Sequence, residues 1–252
     1  MTAPPSTGPR RATGTPATTV LGAVALLALT GTVALGLALP LTREQRVYSR
    51  LIAIHPPVAW TAYLAVAVTA IASALYLWPR TRDRRWDRVA AASAEVGVVF
   101  IALMLATGSI WGRPTWGVWW TWDARLTASA LMLVLYLGYL AVRRVPADIE
   151  VRARRSAVTA LLAIVVVPIN HMAVEWWRTL HQGRSLAELD PGSNLDGAFI
   201  AAMLLGFLAM TLVYAWLVVH RYRVEALEER LAERGLDAAI AERRAEAVMV
   251  DQ

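Results

Sequence analysis

Six apolar runs, at residues 20–41, 51–78, 89–111, 126–142, 157–176 and 198–219, constrain this chain more than any other feature. Each is near the ~20 residues that carry a helix across a hydrocarbon core, the fourth being the shortest. Charge is correspondingly sparse. Asp, Glu, Lys and Arg make up 17% of the 252 residues, against about a quarter in a soluble domain. The chain reads as an all-α, polytopic membrane protein with six transmembrane helices.

Three parts follow from that reading. Residues 1–19, rich in Pro, Ser and Thr, form a disordered cytoplasmic tail. The first apolar run has no clear small-residue cleavage site, so it is taken as an uncleaved helix. Residues 20–220 make the membrane domain. Residues 221–252 form a charged cytoplasmic C-terminal helix, with Val224, Leu227 and Leu231 at helical spacing among Arg and Glu. A solvated tail is the simpler expectation for it than a docking helix. No internal repeat is evident.

Orientation is set by arginine. The two tails with residues 79–88 and 143–155 hold 18 Arg, and the alternate segments, 42–50, 112–125 and 177–197, hold 7. The positive-inside rule then puts both termini in the cytoplasm. Arg43, Arg46 and Arg50 run against the trend.

What is missing excludes several chemistries. All 25 basic residues are Arg, so there is no Lys for a phosphate-binding Walker loop or a Schiff base. Cysteine is absent too, which rules out disulfides, thiolate metal sites and covalent haem attachment. The net charge of +6 reflects topology and is no sign of nucleic-acid binding.

The unusual residues gather on one side. Five of the eleven tryptophans, Trp111, Trp116, Trp119, Trp120 and Trp122, lie in "WGRPTWGVWWTWDARLT", where Gly112, Pro114 and Gly117 let the backbone turn. An interfacial aromatic belt spreads over many helix ends and has no use for Asp123 and Arg125. His55, in "HPPVAW", starts the second span, and Pro56 and Pro57 mark a helix broken or beginning there. His181, in "VEWWRTLHQG", follows the fifth span. Helix parity places all three stretches on the same face, outside by the arginine count. His171 lies within the fifth span and is ambiguous, while His220 and Glu95 read as interfacial or packing residues.

Flat aromatic area suits a flat, polarisable ligand. Two histidines on one face can supply axial nitrogens to iron, and Arg113, Arg125, Arg178 or Arg184 can pair with carboxylates. A haem meets all three demands, held non-covalently as b-type haem.

The three linked motifs resemble those of the haem exporter protein C family, also called cytochrome c maturation protein C, over roughly residues 45–220. Related haem lyases and synthases run Trp-Asp-Pro and then an acidic residue where this chain has "WDARLT". The resemblance implies an inner-membrane protein of cytochrome c biogenesis, a subunit working beside ABC-type ATPase and membrane subunits and a small single-helix membrane subunit. It implies that His55 and His181 are the axial ligands. Trp116, Trp119, Trp120, Trp122 and Asp123 would then be the platform that offers haem to a periplasmic haem chaperone. The placement of His181 in the outer loop and the family's "LHQG" motif both favour it over His171.

No residue set suggests a bond-forming catalyst, so haem delivery is expected, not enzyme activity. The competing class is an electron-transfer subunit with a structural bis-histidine haem, whose ligands usually sit on facing helices within the bundle. A transporter moving substrate through the bundle would need more polar groups at the midplane than Glu95 provides. Topology is directly testable. Reporter fusions at residues 45, 118 and 187 are expected outside and those at 84 and 149 in the cytoplasm. A cytoplasmic signal at 118 would put the tryptophans out of a periplasmic partner's reach.

Overall fold

A computed structural model describes residues 14–43, 45–181 and 197–250. Seven α-helices follow in order: α1 Pro16–Ala38, α2 His55–Leu77, α3 Arg84–Trp116, α4 Ala124–Arg144, α5 Ile149–Ala163, α6 Val166–Trp176 and α7 Gly197–Val250. A 3-10 helix, Val47–Ala53, precedes α2. The helices supply six segments long and apolar enough to cross a membrane, α5 and α6 forming the fifth together. No strand occurs among the described residues, as expected where lipid cannot hydrogen-bond an open backbone.

Helix α1 starts at Pro16, ahead of its apolar run, because Thr15 and Thr18 form a reciprocal capping box. It packs mainly along α7. Arg223 of α7 donates to Thr15 Oγ1 and Thr18 Oγ1, both at 3.2 Å, so the start of α1 lies beside the outgoing part of α7. Arg50, one of the arginines that oppose the charge trend, donates to the Leu39 carbonyl at 3.1 Å and closes the far end of α1.

The centre of the bundle is the α2–α3 pair. Apolar surface gains little by leaving lipid for protein, so transmembrane helices hold together through close packing and interhelical hydrogen bonds. Ala62, Ala65, Thr69 and Ala70 of α2 and Ala90, Ala94 and Gly97 of α3 are small, and all are buried. A Cβ on Gly97 would stand only 3.0 Å from that of Ala65. Ser93 Oγ lies 3.0 Å from Thr69 Oγ1 and 2.7 Å from Tyr214 OH, which joins α7 to the pair.

The fifth span is broken, and Pro168 explains the break. Its ring clashes with the carbonyl four residues back, at Ile164, and it offers no N–H to that oxygen. Ile164 O instead accepts from Val167 N at 2.9 Å, a tighter turn than the α-helix. Below the break α5 lies against α2 and α4; above it α6 keeps α4 but makes no comparable contact with α2 or α7. A cavity opens where α6 parts from α2.

The opposite end is ionic. Asp87, 4% exposed, accepts a two-pronged contact from Arg143 at 2.6 and 3.2 Å, and Arg143 also reaches Glu225 at 3.0 Å. Arg88 and Arg152 share Glu229, Arg84 meets Glu233, and Arg221 pairs with Glu95. Helix α7 runs unbroken from Gly197 to Val250. Its residues 221–233 are therefore docked on α3, α4 and α5, and the solvated-tail expectation fails for them. A buried charge is stabilised by a fixed opposite partner: Asp87 has Arg143 of α4, and α7 adds Glu225 to the same arginine. Asp87→Ala is expected to lower stability in detergent by about 3 kcal/mol, the low end for a broken buried pair because Glu225 remains. Arg84→Ala, at an exposed pair, should cost under ~1 kcal/mol. Equal losses in thermal unfolding would show that burial does not set the strength of this network.

Candidate functional site

At the other end of the bundle, the start of α2, the α3–α4 connection and the residues after α6 converge. His55 is the first residue of α2, with Pro56 and Pro57 in its opening turn. Proline is tolerated there because those N–H groups have no intrahelical acceptor. Of the two expectations for this stretch, a helix beginning is the one observed. The His55 ring lies against one face of α3. Its Nδ1 is 3.0 Å from Thr107 Oγ1, and Trp111 meets it edge to face at 5.8 Å between centroids.

Gly108 and Gly112 clear a trough on that face of α3. A Cβ on Gly108 would sit 2.9 Å from His55 Cε1, and one on Gly112 would sit 2.9 Å from the Trp116 indole. The first glycine admits the imidazole and the second admits a tryptophan folded back along its own helix. Gly112 and Pro114 therefore do not turn the chain, contrary to expectation. Helix α3 continues through both to Trp116 and ends at Gly117, whose φ of 80° is left-handed. Arg113 donates to the Gly117 carbonyl, so its guanidinium serves the helix end.

Asp123 joins two loops. Its Oδ1 accepts from Leu126 N at 2.8 Å, capping α4, and its Oδ2 accepts from Leu180 N at 3.0 Å. That second bond ties the chain after α6 to the tryptophan loop, one residue before His181. Helix α6 stops at Trp176, and the chain folds back so that the His181 ring lies 6.0 Å from Trp116, tilted by 56°.

These elements enclose a cavity of about 500 Å³ between α2, α3, α4, α6 and α7. His55, Trp111, Trp116, Arg125 and His181 line it, as does His171 from α6. The remaining wall is largely apolar, with Trp60, Tyr63, Met104 and Phe207 among its residues. The volume is that of a small-molecule or cofactor site. Arg125 makes no hydrogen bond or ion pair through its guanidinium among the described residues, which leaves a cation at the cavity wall. The other expected residues lie elsewhere. Trp119 and Trp122 are 58% and 77% exposed, Trp120 packs edge to face on Trp122 at 5.5 Å, and Asp123 acts through its two backbone bonds. Arg178 is exposed and does not line the cavity, and Arg184 lies outside the described residues.

Sequence reasoning missed Thr107 and Gly108. The four-residue spacing of Gly108 and Gly112 in "TGSIWG" was the available signal, since small residues so spaced share a helix face.

A six-span helical membrane protein with a cavity of histidines, tryptophans and one arginine at one end of its bundle is the class that fold and site define. The family model for heme exporter protein C matches residues 5–236. The heme exporter protein C of Haemophilus influenzae is 37% identical over 183 residues, covering 71% of this chain and 72% of its own. That of Bradyrhizobium diazoefficiens is 38% identical over 189 residues, 75% of this chain and 70% of its own. That of Escherichia coli K12 is 38% identical over 145 residues, 56% and 58%. The chain belongs to the heme exporter protein C family.

The double role of Asp123 is open to test. Asp123→Ala is expected to lower stability by about 1–2 kcal/mol, the loss of a helix cap with a second hydrogen bond. Hydrogen exchange should rise together at the Leu126 and Leu180 amides. A rise at Leu126 alone would mean that the tether to the His181 loop does not exist.

Proposed function

We propose that this protein binds haem non-covalently in the cavity, as b-type haem with His55 and His181 as axial ligands, and delivers it for cytochrome c maturation. The supporting observation is one largely apolar cavity lined by His55, His171, His181, three tryptophans and Arg125, whose guanidinium has no partner among the described residues. Trp111 and Trp116 supply ring surface, and Arg125 supplies a cation for a carboxylate. Haem itself brings the iron and the redox chemistry. The chain's part is to bind, orient and release it, and no enzymatic step is assigned.

The reading extends to the exposed tryptophans. Trp119 and Trp122 stand outside the cavity wall, where aromatic surface meets a partner. A periplasmic haem chaperone is the proposed receiver, with the cavity on the periplasmic side of the inner membrane. ABC-type ATPase and membrane subunits and a small single-helix subunit are the proposed neighbours. ATP hydrolysis falls to them, since this chain has no lysine for a phosphate loop. Exposed aromatics beside the cavity favour delivery over a structural haem for electron transfer, which has no need to meet a chaperone.

Absorption spectra of the purified chain, oxidised and reduced, with a pyridine haemochrome assay, test the proposal. Wild type is expected to show low-spin b-type haem. His55→Ala or His181→Ala should abolish that spectrum, and His171→Ala should leave it largely intact. Loss with His171→Ala and survival with His181→Ala would make α6 the second ligand's helix. A wild type without haem after purification from haem-replete membranes would remove the proposal's basis.

A further inference from the structure

We infer that Thr107 is a positioning residue that fixes the tautomer and orientation of His55, so that Nε2 presents its lone pair to the cavity. This rests on the reading of His55 as a ligand. The argument starts from one hydroxyl. Thr107 Oγ1 lies 2.7 Å from the Leu103 carbonyl, one helical turn back, and its hydrogen is donated there. A threonine hydroxyl has a single hydrogen, so towards His55 Nδ1, at 3.0 Å, its oxygen acts as acceptor. Nδ1 must therefore carry the proton. In a neutral imidazole the other nitrogen then holds the lone pair.

The opposite tautomer fails on the cavity side. It would place the proton on Nε2, which has no hydrogen-bond partner among the described residues. A donor would then be left unsatisfied on a ring that lines a largely apolar cavity, a state that folded proteins avoid. Both lines of argument give the same proton position. The ring is also held against rotation. Trp111 meets it edge to face, and Gly108 leaves only enough room for Cε1, since a Cβ there would lie 2.9 Å away. Residues 107, 108 and 111 of α3 thus act together on one imidazole. An N–H donated by the second ring nitrogen fixes the tautomer and raises the basicity of the ligating one, and loss of such a partner commonly costs 10–100-fold in affinity for the bound metal.

The experiment has a haem-free and a haem-loaded arm. In full-length apoprotein with ¹⁵N-labelled histidine, in detergent at a pH where imidazole is neutral, His55 is expected as the Nδ1–H form. Thr107→Val keeps the side chain's shape and removes the hydroxyl, and it should abolish that preference; Thr107→Ser should restore it. In the loaded protein, Thr107→Val should weaken haem retention by about tenfold or more and move the midpoint potential to a more positive value, with Thr107→Ser near wild type. An Nε2–H tautomer in wild type overturns the inference, and so does a Thr107→Val protein matching wild type in both tautomer and haem retention. The wild-type spectrum is decisive even if the variant fails to fold. Failure of the ligand reading is a separate result, a haem spectrum that survives His55→Ala, because the tautomer is read without haem.

Discussion

How near α2 and α3 approach one another determines what the site can be. In lipid the two helices are held by fit and by hydrogen bonds between polar side chains, since apolar burial alone gives little preference for a neighbour over an acyl chain. Small residues on both helices bring them together, down to 3.0 Å between Ala65 Cβ and the place where Gly97 would carry one. The same approach continues to the site end, where Gly108 receives the His55 ring as Gly97 receives Ala65. A larger residue would push on the Ala65 methyl at Gly97 or on the imidazole at Gly108, because no flexible side chain stands there to yield. Core packing and ligand placement are one contact at two heights.

The second determinant is a carboxylate. Asp123 would be read from position alone as part of a binding surface, yet both its oxygens are spent on backbone amides. One caps α4 and the other holds Leu180, so the carboxylate orders the loop that carries His181. The tryptophans divide in the same way. Trp111 and Trp116 belong to the last turns of α3 and face the cavity, whereas Trp119, Trp120 and Trp122 lie past Gly117, where the helix has ended. A single left-handed residue separates the tryptophans that line the cavity from those that do not, of which Trp119 and Trp122 face outward.

Much of this was legible in the residues, for physical reasons. Membrane-length apolar runs leave few alternatives, and helix parity brings His55, the tryptophan loop and His181 to one face without any knowledge of packing. What escaped depended on which helix faces meet. Gly112 and Pro114 looked like turn formers, but a helix can absorb a proline in its last turn, and the turn waited for Gly117. Pro168 was visible throughout, yet its consequence, a span that leaves α2 halfway and opens the cavity, follows only once α5 is seen against α2 and α6 against α4. The docking of residues 221–233 was hidden because their partners, Arg84, Arg88, Glu95, Arg143 and Arg152, are distant in sequence.

The two ends of the bundle are held by interactions of different strength, and the difference suits the proposed delivery, in which the ligand must be let go. At the ionic end, Arg143 and Asp87 are nearly inaccessible, and separating them leaves a buried charge behind, a barrier of several kcal/mol. Among the described residues, the bonds that join the loops at the site end are single hydrogen bonds, including Asp123 to Leu180, Ser109 to the Trp119 carbonyl and Trp111 to Gln45. The two neutral bonds contribute about 1 kcal/mol net each and the one to the carboxylate about 1.5–3 kcal/mol. Loops secured at that level open locally while the helices beneath them stay folded. His55 lies deeper, on the rigid α2–α3 pair, and His181 lies on the loop that the weak bonds secure. Of the two proposed ligands, the one on the loop can therefore move without disturbing the other.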